Sequence, residues 1–137
     1  MNKMICLGCA MGASVVLTGP APAQNHTLTG PDLVLEQTVA GMPRDEKQSV
    51  RVMTATFKPG DNTLRHIHRF PVTVYVLEGT FTLELQGREP LIAKAGEAIV
   101  EPPNVEMVGY NRSATEPTKV VVVYVSTPNT PFLEPVH

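Results

Sequence analysis

The stretch Pro59-Gly60-Asp61-Asn62-Thr63-Leu64-Arg65-His66-Ile67-His68-Arg69-Phe70-Pro71-Val72-Thr73-Val74-Tyr75-Val76-Leu77-Glu78-Gly79 decides how this chain is read. It opens on a turn signal, Lys58-Pro59-Gly60-Asp61. It then carries two histidines, and it closes on a β-branched run stopped at Glu78-Gly79. In extended chain, residues i and i+2 project from one face, so His66 and His68 present two imidazoles side by side. Such a pair can chelate one metal ion through its ring nitrogens. On its own it is a weak sign, since histidine pairs also occur on surfaces.

Outward from this stretch the chain reads as strands. Upstream, Leu33–Val39 is a β-rich run that stops at Gly41-Met42-Pro43, Arg44–Ser49 is a charged turn with at most one turn of helix, and Val50–Phe57 is a strand. Downstream, Thr80–Leu85 alternates polar with apolar, and Gln86-Gly87-Arg88-Glu89 closes a hairpin onto Leu91–Ala93. Ala98–Val100 ends at Pro102-Pro103-Asn104, and Val105–Tyr110 follows. Val120–Val125 is apolar throughout, which predicts a strand covered on both faces. The tail from Ser126 carries Pro128, Pro131 and Pro135 and is expected to lie extended over the surface. Many short strands joined by Gly/Pro turns imply an all-β sandwich or closed barrel.

The first residues have another character. Lys3 precedes the apolar run Met4–Leu17, and Ala21-Pro22-Ala23 is a small-x-small cleavage site, the pattern of a secretory signal peptide over residues 1–23. The apolar run is shorter than the roughly 20 residues that span a bilayer. Leu7-Gly8-Cys9 loosely resembles a lipidation site, but most of the apolar run follows Cys9, which favours cleavage near Ala23. The mature chain, 24–137, is then one domain with a barrel core over about 50–126, and an exported protein, periplasmic or extracellular, is expected. Cys6 and Cys9 are both in the leader, so no disulfide holds the domain. A formal net charge of −2 gives no basic face for nucleic acid. No second apolar run is long enough for a transmembrane segment.

Two spaced motifs carry a resemblance. Pro59-Gly60, five residues, His66-Ile67-His68 and then Tyr75-Val76-Leu77-Glu78-Gly79 resembles the first motif of the cupin family. Gly96, five residues, Pro102-Pro103-Asn104 and then Asn111 resembles the second. The resemblance implies a double-stranded β-helix, or jelly-roll, barrel with any metal held inside, and a homodimer. The family places a glutamate ligand shortly after the second histidine, where this chain has Val72 or Thr73. It places a third histidine four residues before the asparagine, where this chain has Met107. Asn104 replaces the usual glycine of the turn, a mild change because Asn tolerates positive φ.

These departures leave His66, His68 and Met107 as the candidate metal set. Loss of a carboxylate and gain of a thioether favour copper, with iron, manganese, nickel and zinc as the other transition metals to consider. Met107 also suits core packing, and Val72, Val74, Tyr75 and Tyr110 are candidates for an apolar pocket. Glu106 is expected to face solvent, and His26 and His137 receive no role. Two functions follow. One is a metal-dependent dioxygenase-type enzyme acting on a small organic molecule. The other is a non-catalytic module that binds a small molecule or copper.

Overall fold

The computed structural model describes residues 30–137. The leader expected over 1–23 and His26 lie outside the described residues. Residues Asp32–His137 form one compact unit. Its strands are β1 (Ser49–Phe57), β2 (His66–Ile67), β3 (Val72–Glu78), β4 (Thr80–Leu85), β5 (Leu91–Lys94), β6 (Ala98–Glu101), β7 (Met107–Tyr110), β8 (Thr118–Ser126) and β9 (Glu134–Pro135). They build two antiparallel sheets, ordered β1-β8-β3-β6 and β5-β4-β7-β2-β9. Among the described residues there is no helix, and none is long and apolar enough to cross a membrane.

Alternation positions the core. Val72, Val74 and Val76 of β3 point inward, as do Val120, Val122 and Tyr124 of β8. Opposite them Phe81, Leu83 and Leu85 of β4 and Met107 of β7 fill the second sheet's inner face. β8 is less enclosed than its uniform apolarity predicts: its inner side chains are buried and its outer ones half-buried. The outer face runs on to Val50 and Val52 of β1, both about two-thirds exposed.

Leu33–Val39 is not a strand. The segment has no ladder partner, and Leu33 and Val34 are exposed. Leu35, Val39 and Met42 instead approach the outer side of the first sheet near Thr73, Val100 and Val123. Strand propensity expresses packing against cross-strand neighbours, and this run has none.

Asn111, buried, ties the far end of the barrel. Its side-chain NH₂ donates to the carbonyls of Phe57, Lys58 and Glu116 at 3.2, 3.1 and 2.8 Å, and its oxygen accepts the Ser113 N–H at 3.0 Å.

Candidate functional site

β2 is two residues long and is held from both sides. His66 stands opposite Met107 of β7 and Pro135 of β9. The turn after β6 adds a third hold: Asn104, at φ 57°, donates its N–H to the His68 carbonyl at 2.8 Å. Asn at positive φ is tolerated because its short polar side chain lowers the steric cost. Arg65 and Arg69 turn to the surface, pairing with Glu106 at 3.2 Å and Glu134 at 3.0 Å.

Both imidazoles are buried. His66 Nδ1 lies 2.8 Å from the Leu64 carbonyl, and His68 Nδ1 lies 2.6 Å from the Phe132 carbonyl. A carbonyl only accepts, so each Nδ1 carries the hydrogen and donates it. In the neutral rings both Nε2 atoms are then bare, yet they face each other at 3.1 Å. His68 Nε2 is also 3.0 Å from Oε2 of Glu101, itself only 5% exposed. Two lone pairs and a carboxyl oxygen at these separations leave a place for one bridging hydrogen or for a metal ion. Burial, more than any other cause, holds the His66 pKa below its usual 6.5. The Leu64 carbonyl opposes this, the His68 ring adds to it, and Glu101 opposes it.

The donor set fits a metal in part. Ligand atoms at right angles about an ion, with bonds of about 2.1 Å, stand about 3.0 Å apart. The His66–His68 and His68–Glu101 contacts have that length. The three groups form a chain through His68, however, and among the described residues no three His, Cys, Asp or Glu side chains make a ready metal cage.

Beside these groups is a cavity of about 90 Å³. His66, His68, Glu101 and Thr63 supply its polar lining, and Val74, Val120, Val122, Phe57 and Phe81 much of the apolar remainder. Of the pocket residues expected from sequence, Val74 lines it. Val72 is fully buried in the ladder between Glu101 and Tyr124 but does not reach the cavity. Tyr75 and Tyr110 do not line it either. A strand has a period of two, so Tyr75 projects away from Val74, and Tyr110 lies opposite Thr82 with the Arg112 guanidinium 4.4 Å from its ring centroid. Met107 is buried in the hydrophobic core beside His66 and is absent from the cavity lining.

Sequence reasoning missed Glu101 and the tail. Ala98–Glu101 alternates, and Ile99 and Glu101 share the inward face, so a glutamate two residues after an inward isoleucine was a readable sign. The tail does not simply lie over the surface. β9 pairs with β2, Val136 N–H donates to the Arg65 carbonyl at 3.1 Å, and Phe132 and Leu133 form one wall of the cavity. The Phe132 ring stands 4.8 Å from that of His68 and 5.5 Å from that of Tyr124.

A family model described as "Cupin domain" matches residues 53–124. The chain is similar in structure to a cupin-like protein from Thermotoga maritima, at 25% identity and TM-score 0.54, covering 64% of each chain. It is similar to the polyketide cyclase RemF from Streptomyces resistomycificus at 26% identity and TM-score 0.52, covering 64% of this chain and 61% of that one. The chain thus spans less than two thirds of either relative. A double-stranded β-helix protein from Klebsiella pneumoniae gives TM-score 0.55 at 21% identity, covering 74% of this chain and 90% of that one, a likeness of fold. No curated protein matches the chain.

Proposed function

The chain belongs to the cupin domain family, and from that footing we propose that it is a metal-dependent cupin acting on a small organic molecule. One transition-metal ion would be held by Nε2 of His66, Nε2 of His68 and the Glu101 carboxylate. The observation that carries this is the pair of bare Nε2 atoms 3.1 Å apart, each ring fixed through its Nδ1–H to a backbone carbonyl. Backbone-anchored imidazoles are the usual second shell of a metal site.

Glu101 changes the expected metal. Two histidines and a carboxylate with open positions suit non-haem Fe(II), whereas His66, His68 and Met107 would suit copper. A bound divalent ion supplies Lewis acidity and open positions for a small molecule or O₂. The chain's own groups do the rest. Leu64 and Phe132 hold the rings in one tautomer, the apolar wall limits water, and Glu101 is the carboxylate in reach of a proton at that end of the cavity. Export is part of the proposal and rests on the leader-like Met1–Ala23. A homodimer is also part of it and is supported by the exposed Val50 and Val52.

A second reading is favoured by the His68–Glu101 contact itself. With a proton on His68 Nε2 the two form a buried ion pair, and the barrel is a metal-free binding module. Elemental analysis of the untagged mature protein after loading with iron or copper separates the readings. Stoichiometric metal in the wild type, lost in His66→Ala and weakened in Glu101→Gln, is expected. No retained metal overturns the proposal. Copper preferred over iron and weakened by Met107→Ala would return Met107 to the ligand set.

A further inference from the structure

We propose that the cavity takes a compact molecule of about four non-hydrogen atoms, with an apolar body and a single polar head, and that Phe81 sets the size limit. This deepens the function proposed above and rests on the reading of this cavity as the substrate site.

The size comes from volume. A cavity of about 150 Å³ accommodates benzene, with its six carbons, which is roughly 25 Å³ per heavy atom. At about 90 Å³ this cavity is smaller. It is also well below the roughly 300–1,000 Å³ of pockets that enclose drug-sized ligands.

The polarity comes from the lining. His66, His68 and Glu101 gather at one place, and the only other polar side chain in the lining is the Thr63 hydroxyl. Its oxygen already accepts the Gly109 N–H at 2.9 Å, which leaves one O–H to donate. No lysine or arginine is among the residues lining the cavity. A sugar or other polyol would leave hydroxyls unpaired against valine and phenylalanine, and a dianion would lack a second cation. A molecule with one head against His66, His68 and Glu101 and an apolar body buries no polar group of its own unpaired.

Phe81 fixes the limit because it cannot retreat. Its ring rests on Gly109, where a Cβ would come within 2.6 Å of Cζ and 2.8 Å of Cε2. On another side the Phe57 ring stands with its centroid 5.6 Å away, tilted by 55°. The Phe81 ring is 3% exposed, so both neighbours confine it in a packed interior.

The test uses the mature protein in metal-free form, with straight-chain alcohols from ethanol to hexanol and with glycerol as probes. NMR shifts of the Val74, Val120 and Val122 methyl groups report binding. Ethanol through butanol should shift these methyls in saturable fashion. Hexanol should bind at least about tenfold more weakly than butanol, and glycerol should shift nothing. Phe81→Leu should let hexanol bind as tightly as butanol. Phe57→Leu, on the adjoining wall, serves if Phe81→Leu fails to fold. Absence of saturable shifts, equal binding of hexanol and butanol in the wild type, or a break that stays put in the folded variant would overturn the inference. The readout needs no metal. A protein that never retains metal but shows the break refutes the proposed function alone, and a metal-holding protein without the break refutes this inference alone.

Discussion

Val72 and Glu101 are direct partners across the β3–β6 ladder, both pointing into the barrel. The position where a cupin motif leads one to expect a carboxylate is thus a valine, and a carboxylate stands opposite it on the neighbouring strand. Cross-strand partners have Cβ atoms about 4.5–5.5 Å apart, so the charge has moved by one strand while staying at the same level of the barrel.

That register predicts a transplant. Glu101→Val should reduce metal affinity by no less than the roughly 10–100-fold that loss of an outer-shell partner costs. The double variant Val72→Glu/Glu101→Val, which returns the carboxylate to β3, should recover much of it. Competition with a chromophoric chelator measures both. A double variant as weak as the single one would show that position 101 is required in itself.

The buried His66 sets a pH dependence. Its folded pKa lies below the usual 6.5 because burial disfavours the charged ring. The unfolded chain therefore binds the extra proton first as pH falls. The His66 contribution to stability is complete above about pH 6.5, is lost as pH falls toward the folded pKa, and is flat below it. Urea midpoints of the metal-free protein between pH 8 and 5 should decline over this window, and His66→Gln should flatten the decline.

Gly109→Ala forces a methyl group onto the Phe81 ring, with Cζ at 2.6 Å. Overpacking of this kind costs about 1–3 kcal/mol. Denaturant unfolding should show that loss in Gly109→Ala and a smaller one in Gly109→Ala/Phe81→Leu, where the obstructing ring is gone.

Asn111 shares its two amide hydrogens among three carbonyls. Asn111→Ala leaves these acceptors without their donor, at about 1–3 kcal/mol. Asn111→Asp should be worse at neutral pH, because a carboxylate would face three carbonyl oxygens. A thermal melt in which Asp is milder than Ala would contradict this account.

Deleting residues 132–137 removes the acceptor for His68 Nδ1–H and the Phe132–Leu133 wall. The β1-β8-β3-β6 sheet contains none of these residues. Far-UV circular dichroism should therefore stay near that of the full chain, while metal affinity falls about 10–100-fold.

The parts legible in the sequence share a physical basis. Val50–Phe57, Thr80–Leu85 and the run around Val120 announce themselves because alternation or β-branching persists for six residues or more and Gly or Pro then stops it. His66 and His68 were legible from spacing, and Asn104 from its tolerance of positive φ. Glu101 left a fainter sign, its place two residues after Ile99, because its strand is only four residues long and runs straight into Pro102. Leu33–Val39 misled because composition does not say whether a ladder partner exists. The role of Phe132 could not be read at all. Its contribution to His68 is a main-chain oxygen, which leaves no mark on residue type.

That anonymity has a bearing on how such a protein can diversify. Any residue at position 132 can offer a carbonyl, so the hold on His68 tolerates substitution there, while the side chain at 132 faces the chamber. The tail is therefore a stretch on which selection, or a protein engineer, can redraw one wall without rewriting the barrel or its histidines. Libraries confined to Phe132 and Leu133 are the economical place to look for altered ligand preference.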